Sequence, residues 1–115
     1  MASLPEAVHC GWITKRGARR KSWKRRWFVL DKKAILSYYV TESARIQKGK
    51  LDLCQMLRMG EVKKKTPASP GGTIRFEIVM PTRTYLFVAD SVEAHNWMEA
   101  IRSTVRALNA TKRAL

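Results

Sequence analysis

Between Lys15 and Arg26 the chain places eight Lys or Arg among twelve residues, and no acid. Cations packed that densely repel one another, and an anionic partner offsets such repulsion: a phosphorylated small molecule, the negative face of a membrane, or nucleic acid. Phosphomonoesters suit the run best. Each carries close to two negative charges and several acceptor oxygens, and charge-assisted hydrogen bonds to Lys or Arg are the strong kind. Across the 115 residues, 23 Lys or Arg stand against 9 Asp or Glu, a net charge of +14. Catalysis has no comparable support. His9 and His95 are isolated from any acid or thiol arrangement, so no catalytic residue, metal site or cofactor is expected. Cys10 and Cys54 lack the paired spacing of a zinc or redox site and read as two reduced thiols.

Elements must bring those cations to one place. A hydrophobic fraction of 45% predicts a packed core in spite of the charge, and the length fits one domain, read here as monomeric. Residues 1–7 read as a lead-in, 8–109 as the domain and 110–115 as a basic tail. Short strands are predicted over 8–15, 27–30, 35–40, 49–53, 57–62, 73–80 and 84–89, with the polar stretch 63–72 as an exposed loop. Ala94, Trp97, Met98, Ile101, Val105 and Leu108 then recur at intervals of three and four, one apolar face of a helix that Asp90 and Glu93 would cap. The fold class is therefore α+β: a seven-stranded curled antiparallel barrel of two sheets, closed at one end by a C-terminal amphipathic α-helix. Alternation puts Lys24 and Arg26 on the same side as Phe28 and Leu30, so the core-facing side of that strand begins with two cations. Lys15 would lie across the intervening turn from them. Trp12, Trp27 and Trp97 read as core or barrel wall, whereas Trp23 could reach a lipid interface.

The runs Gly11-Trp12-Ile13-Thr14-Lys15, Trp23-Lys24-Arg25-Arg26-Trp27-Phe28-Val29-Leu30 and Leu36-Ser37-Tyr38-Tyr39, with the helical Trp97, resemble the pleckstrin-homology (PH) family over nearly the whole chain. Lys15, Lys24, Arg26 and Phe28 reproduce the spacing found in members that bind 3-phosphorylated phosphoinositides. That resemblance implies headgroup contacts from Lys15, Lys24, Arg26, Tyr38 and Lys48. It also implies further contacts from the loop Arg16, Gly17, Ala18, Arg19, Arg20 and Lys21. In two places the chain departs from this pattern. The turn Pro81-Thr82-Arg83 is tight where some relatives extend a hairpin to the headgroup, which removes a contact. Ala18 adds a methyl group beside Gly17 where a second glycine would let backbone amides come closer to a phosphate, which would select against a 5-phosphate.

The implied function is recognition of PI(3,4,5)P3 or PI(3,4)P2 headgroups by a non-enzymatic, cytoplasmic module recruited peripherally to the plasma membrane or endomembranes. Its expected partners are phosphoinositide lipids, soluble inositol phosphates and the anionic membrane surface. The competing reading is a protein-binding adaptor with weak acidic-lipid affinity. A nucleic-acid partner has charge alone behind it, since no helix-turn-helix, zinc-finger or aromatic RNA-binding signature is present.

Overall fold

The computed structural model describes residues 6–17, 22–63 and 72–114. Seven strands follow in order: β1 (Ala7–Arg16), β2 (Trp23–Asp31), β3 (Ile35–Tyr39), β4 (Gln47–Asp52), β5 (Arg58–Glu61), β6 (Thr73–Val79) and β7 (Thr84–Asp90), before helix α1 (Ser91–Ala114). The predicted strand beginning at Trp27 starts four residues earlier, because Trp23 to Arg26 pair with β1 even though three of the four side chains are exposed. Leu53, expected to end a strand, instead opens a short 3-10 turn, Leu53–Gln55, capped by the Asp52 carboxylate accepting from the Cys54 amide at 3.1 Å. The segment read as a tail from residue 110 is helical through Ala114.

The expected curled antiparallel arrangement of seven strands is present, its two halves continuous by hydrogen bonding as one unclosed sheet in the order β4-β3-β2-β1-β7-β6-β5. β1 joins its halves, pairing with β2 along its length and with β7 only at Thr14–Val88 and Lys15–Phe87. Alternation then sorts the side chains. Ile13, Phe28, Leu30, Leu36, Leu51, Phe76, Ile78 and Phe87 face inward and are buried. Ala94, Trp97, Met98 and Ile101 of α1 complete this core, and the helix packs against β1, β6, β7 and the 3-10 turn. At the start of α1 the Asp90 carboxylate accepts from the Glu93 amide at 2.9 Å, the N-cap bond that the sequence predicts. Among the described residues, no helix is long and apolar enough to cross a membrane.

Tight connections fix which ends of the strands meet. Asp31 turns the chain from β2 into β3 by accepting from the amides of Lys33 and Ile35 at 2.8 and 3.0 Å. Between β6 and β7, the Met80 amide donates to the Arg83 carbonyl at 2.9 Å. Because β1 and β7 are antiparallel neighbours, this turn lies at the same end of the sheet as the connection from β1 to β2.

Candidate functional site

The register places Lys15 directly opposite Lys24 and Ile13 opposite Arg26. These three cations therefore begin the inward faces whose continuation is the core residues Ile13, Phe28 and Leu30. The Gly17 amide donates to the Ser22 carbonyl at 3.0 Å and closes the base of the connecting loop. Lys15, Gly17, Ser22, Lys24 and Arg26 line an open cavity of about 140 Å³. Among the described residues no carboxylate pairs with these cations; the only acceptor recorded for Arg26 is its neighbour's carbonyl, that of Arg25, at 3.4 Å.

Tyr38 forms the inner flank of this site. It lies opposite Phe28 in the β2–β3 ladder, with ring centroids 5.2 Å apart, and the Lys15 ammonium sits 4.8 Å from the Tyr38 ring centroid. Across the next ladder Tyr38 faces Gly49, where a Cβ atom would collide with the phenol ring. The glycine is thus what lets Tyr38 lie flat over β4. Burial, then the neighbouring Tyr85, pushes the Tyr38 hydroxyl pKa above its ordinary value, against the opposing pull of Arg83 and Arg26. The phenol stays protonated and able to donate at neutral pH.

Arg83 is the residue that sequence reasoning missed. Its guanidinium covers the Tyr85 ring at 4.0 Å, and Tyr85 in turn stacks along Phe87, the register partner of Lys15. The Lys15 ammonium is held below the ordinary lysine range, first by burial and then by the positive charges of Arg83, Arg26 and Lys24. Arg83, on the tight turn, is thus near enough to repel the Lys15 ammonium, while the cavity itself is lined by Lys15, Lys24 and Arg26 among the cations. The available signal was the position of Arg83 just before an aromatic strand, but its use required knowing that this strand pairs with β1.

Other predicted residues lie elsewhere. Lys48 is exposed at the register shift in β4 and does not line the cavity. Arg16 lies opposite Trp23, on the outward side of the hairpin. Ala18, Arg19, Arg20 and Lys21 fall outside the described residues. Trp97 is fully buried against His9, and Trp12 and Trp27 meet edge to face on the outer wall.

Comparison with known proteins agrees with this architecture. The family profile described as PH domain matches residues 7–106. Mouse pleckstrin homology domain-containing family A member 2 is 36% identical over 110 residues, covering 95% of this chain and 26% of that protein. Bovine switch-associated protein 70 is 34% identical over 99 residues, or 85% of this chain and 16% of that protein. The chain thus spans about a quarter or less of these relatives' length. The C-terminal PH domain of pleckstrin, solved in complex with D-myo-Ins(1,2,3,5,6)P5, superposes with a TM-score of 0.71 at 25% identity, covering 90% of this chain and 99% of that one. The PH domain of human pleckstrin homology domain-containing protein family A member 5 gives 0.69 at 28% identity, covering 91% and 83%. A profile match over most of its length, together with the curled seven-stranded sheet and its closing helix, makes this chain a member of the PH domain family.

Proposed function

We propose that this domain binds the headgroup of a 3-phosphorylated phosphoinositide, PI(3,4,5)P3 or PI(3,4)P2, and thereby brings the protein that carries it to an anionic membrane. The observation behind this reading is the convergence of Lys15, Lys24 and Arg26 on one cavity, with no carboxylate among the described residues to neutralise them. Arg83 extends the ring of charge from the β7 side, and Tyr38 offers a hydroxyl donor beside it. The inositol pentakisphosphate bound to the related pleckstrin domain supports an inositol-phosphate ligand for the same fold. The domain works by positioning charge and performs no reaction on the lipid.

Calorimetric titration with soluble inositol phosphates that differ only at the 3 and 5 positions tests the assignment. The 3-phosphorylated compounds should bind more tightly than those lacking that group. Arg26→Ala should weaken binding by about 2–3 kcal/mol, roughly 30- to 150-fold, as expected for a lost charge-assisted contact, with the thermal midpoint retained. Headgroup-selective binding by a folded Arg26→Ala protein at wild-type affinity would reject the site.

A further inference from the structure

Ser22 stands one residue before β2 and lines the same cavity as Lys15, Lys24 and Arg26. Its carbonyl accepts from the Gly17 amide at 3.0 Å, so the hairpin geometry reaches as far as Ser22 and fixes where its side chain starts. Alternation back from Arg26 and Lys24 carries Ser22 to their side of the strand, with Trp23 turned outward. The residue is nevertheless exposed, and its hydroxyl is open to an enzyme arriving from solution. In the sequence Arg19-Arg20-Lys21 comes immediately before it, which places arginines three and two residues ahead of a serine. Protein kinases whose peptide clefts carry acidic pockets choose substrates by cations at those positions. Basic residues before a serine mean little by themselves in a chain of net charge +14. What sets Ser22 apart is the cavity its side chain lines.

We propose that Ser22 is a phosphorylation site for an arginine-directed serine/threonine kinase, and that the phosphate it acquires occupies the cavity and shuts out the headgroup. The kinase transfers the γ-phosphoryl group of ATP to the Ser22 oxygen: the bond from that phosphorus to the β–γ bridging oxygen breaks, ADP leaves, and the hydroxyl proton is released. At neutral pH the product carries about −1.5 to −2 charge and three strong acceptor oxygens. Among the described residues no carboxylate pairs with Lys15, Lys24 or Arg26, so the new phosphate meets cations that nothing has neutralised. Because it is tethered, it competes at an effective concentration on the order of millimolar, which a free ligand must overcome. It also repels the phosphates of an incoming headgroup. The blocking half of the proposal rests on the headgroup reading above; the seating of the phosphate does not.

The whole 115-residue chain is incubated with ATP and the catalytic subunit of cyclic-AMP-dependent protein kinase, with Ser22→Ala treated alongside. Mass spectrometry should place phosphate on Ser22 of the wild type. Calorimetry with a soluble 3-phosphorylated inositol phosphate should then show a loss of about tenfold or more against the same chain incubated without ATP, and phosphatase should restore the affinity. Treated and untreated Ser22→Ala should share one affinity, which excludes an effect of phosphate placed elsewhere. Phosphorus NMR reads the seating directly. The second ionisation of the phosphoserine, ordinarily near pH 6, should fall by about half a pH unit or more with cations facing it, and Arg26→Ala should return it towards the ordinary value. A folded chain left unmodified at Ser22 overturns the proposal, as does a phosphoserine that titrates like a free peptide or leaves inositol-phosphate affinity unchanged. A wild-type chain that ignores inositol phosphates before treatment rejects the headgroup reading alone, and the phosphorus titration still decides whether the phosphate occupies the cavity.

Discussion

Lys15 meets three other cations while being partly withdrawn from water, so the free domain carries a repulsion that a bound anion relieves. Its lowered pKa has a definite sign. Between that value and the ordinary 10.5, the folded chain binds fewer protons at this site than the unfolded chain, so stability rises with pH across the window. Affinity runs the other way: an anion needs the ammonium protonated, and binding should weaken as pH climbs through the same alkaline range. Lys15→Arg, whose guanidinium does not titrate there, should lose both slopes; denaturation midpoints and calorimetric affinities at neutral and alkaline pH, compared with wild type, check this. A parallel slope in the two proteins would show that other groups carry the effect. At this scale Lys15, Lys24 and Arg26 were legible in the sequence because their spacing fits the two arms of one hairpin. Arg83 was not, since nothing local ties a turn after β6 to the end of β1.

Strand and helix identities were largely readable from periodicity, and the errors fall where pairing overrides composition. Trp23 to Arg26 are strand because β1 supplies a ladder, a fact that four polar or rim residues do not announce. Gly49 looks like a weak point in β4 until Tyr38 is seen lying across it. Gly49→Val should therefore displace the Tyr38 ring, destabilise the domain by about 1–3 kcal/mol as overpacking does, and weaken inositol-phosphate binding with it. Chemical denaturation and calorimetry on the same preparation would show whether the losses travel together. The helix start was legible because capping chemistry is local. Asp90→Ala removes the bond to the Glu93 amide and should cost about 1 kcal/mol in denaturant unfolding. Since Asp90 is at the other end of β7 from Arg83, headgroup affinity should stay at the wild-type level; a drop would mean the helix start supports the cavity.

At the scale of the molecule, a net charge of +14 acts beyond the cavity, attracting any anionic surface within a screening length. Raising ionic strength from 0.1 to 1 M shortens that length from roughly 10 to 3 Å. Sedimentation with phosphatidylserine-only vesicles should then fall much further than calorimetric affinity for a soluble inositol phosphate, whose contacts are direct; equal losses would assign all binding to long-range charge. Composition announced this field. It did not announce that a single sheet carries both halves of the fold, since the joining pairs Thr14–Val88 and Lys15–Phe87 come from distant parts of the chain. That two-pair seam has a mechanical consequence. Lys24 and Arg26 stand on one side of it, Arg83 on the other, and Lys15 within it, so an anion gripping all four would act as a clasp across a hinge line. Amides of the seam would then exchange with deuterium more slowly in the loaded domain, while those at the far edges β4 and β5 kept their pace.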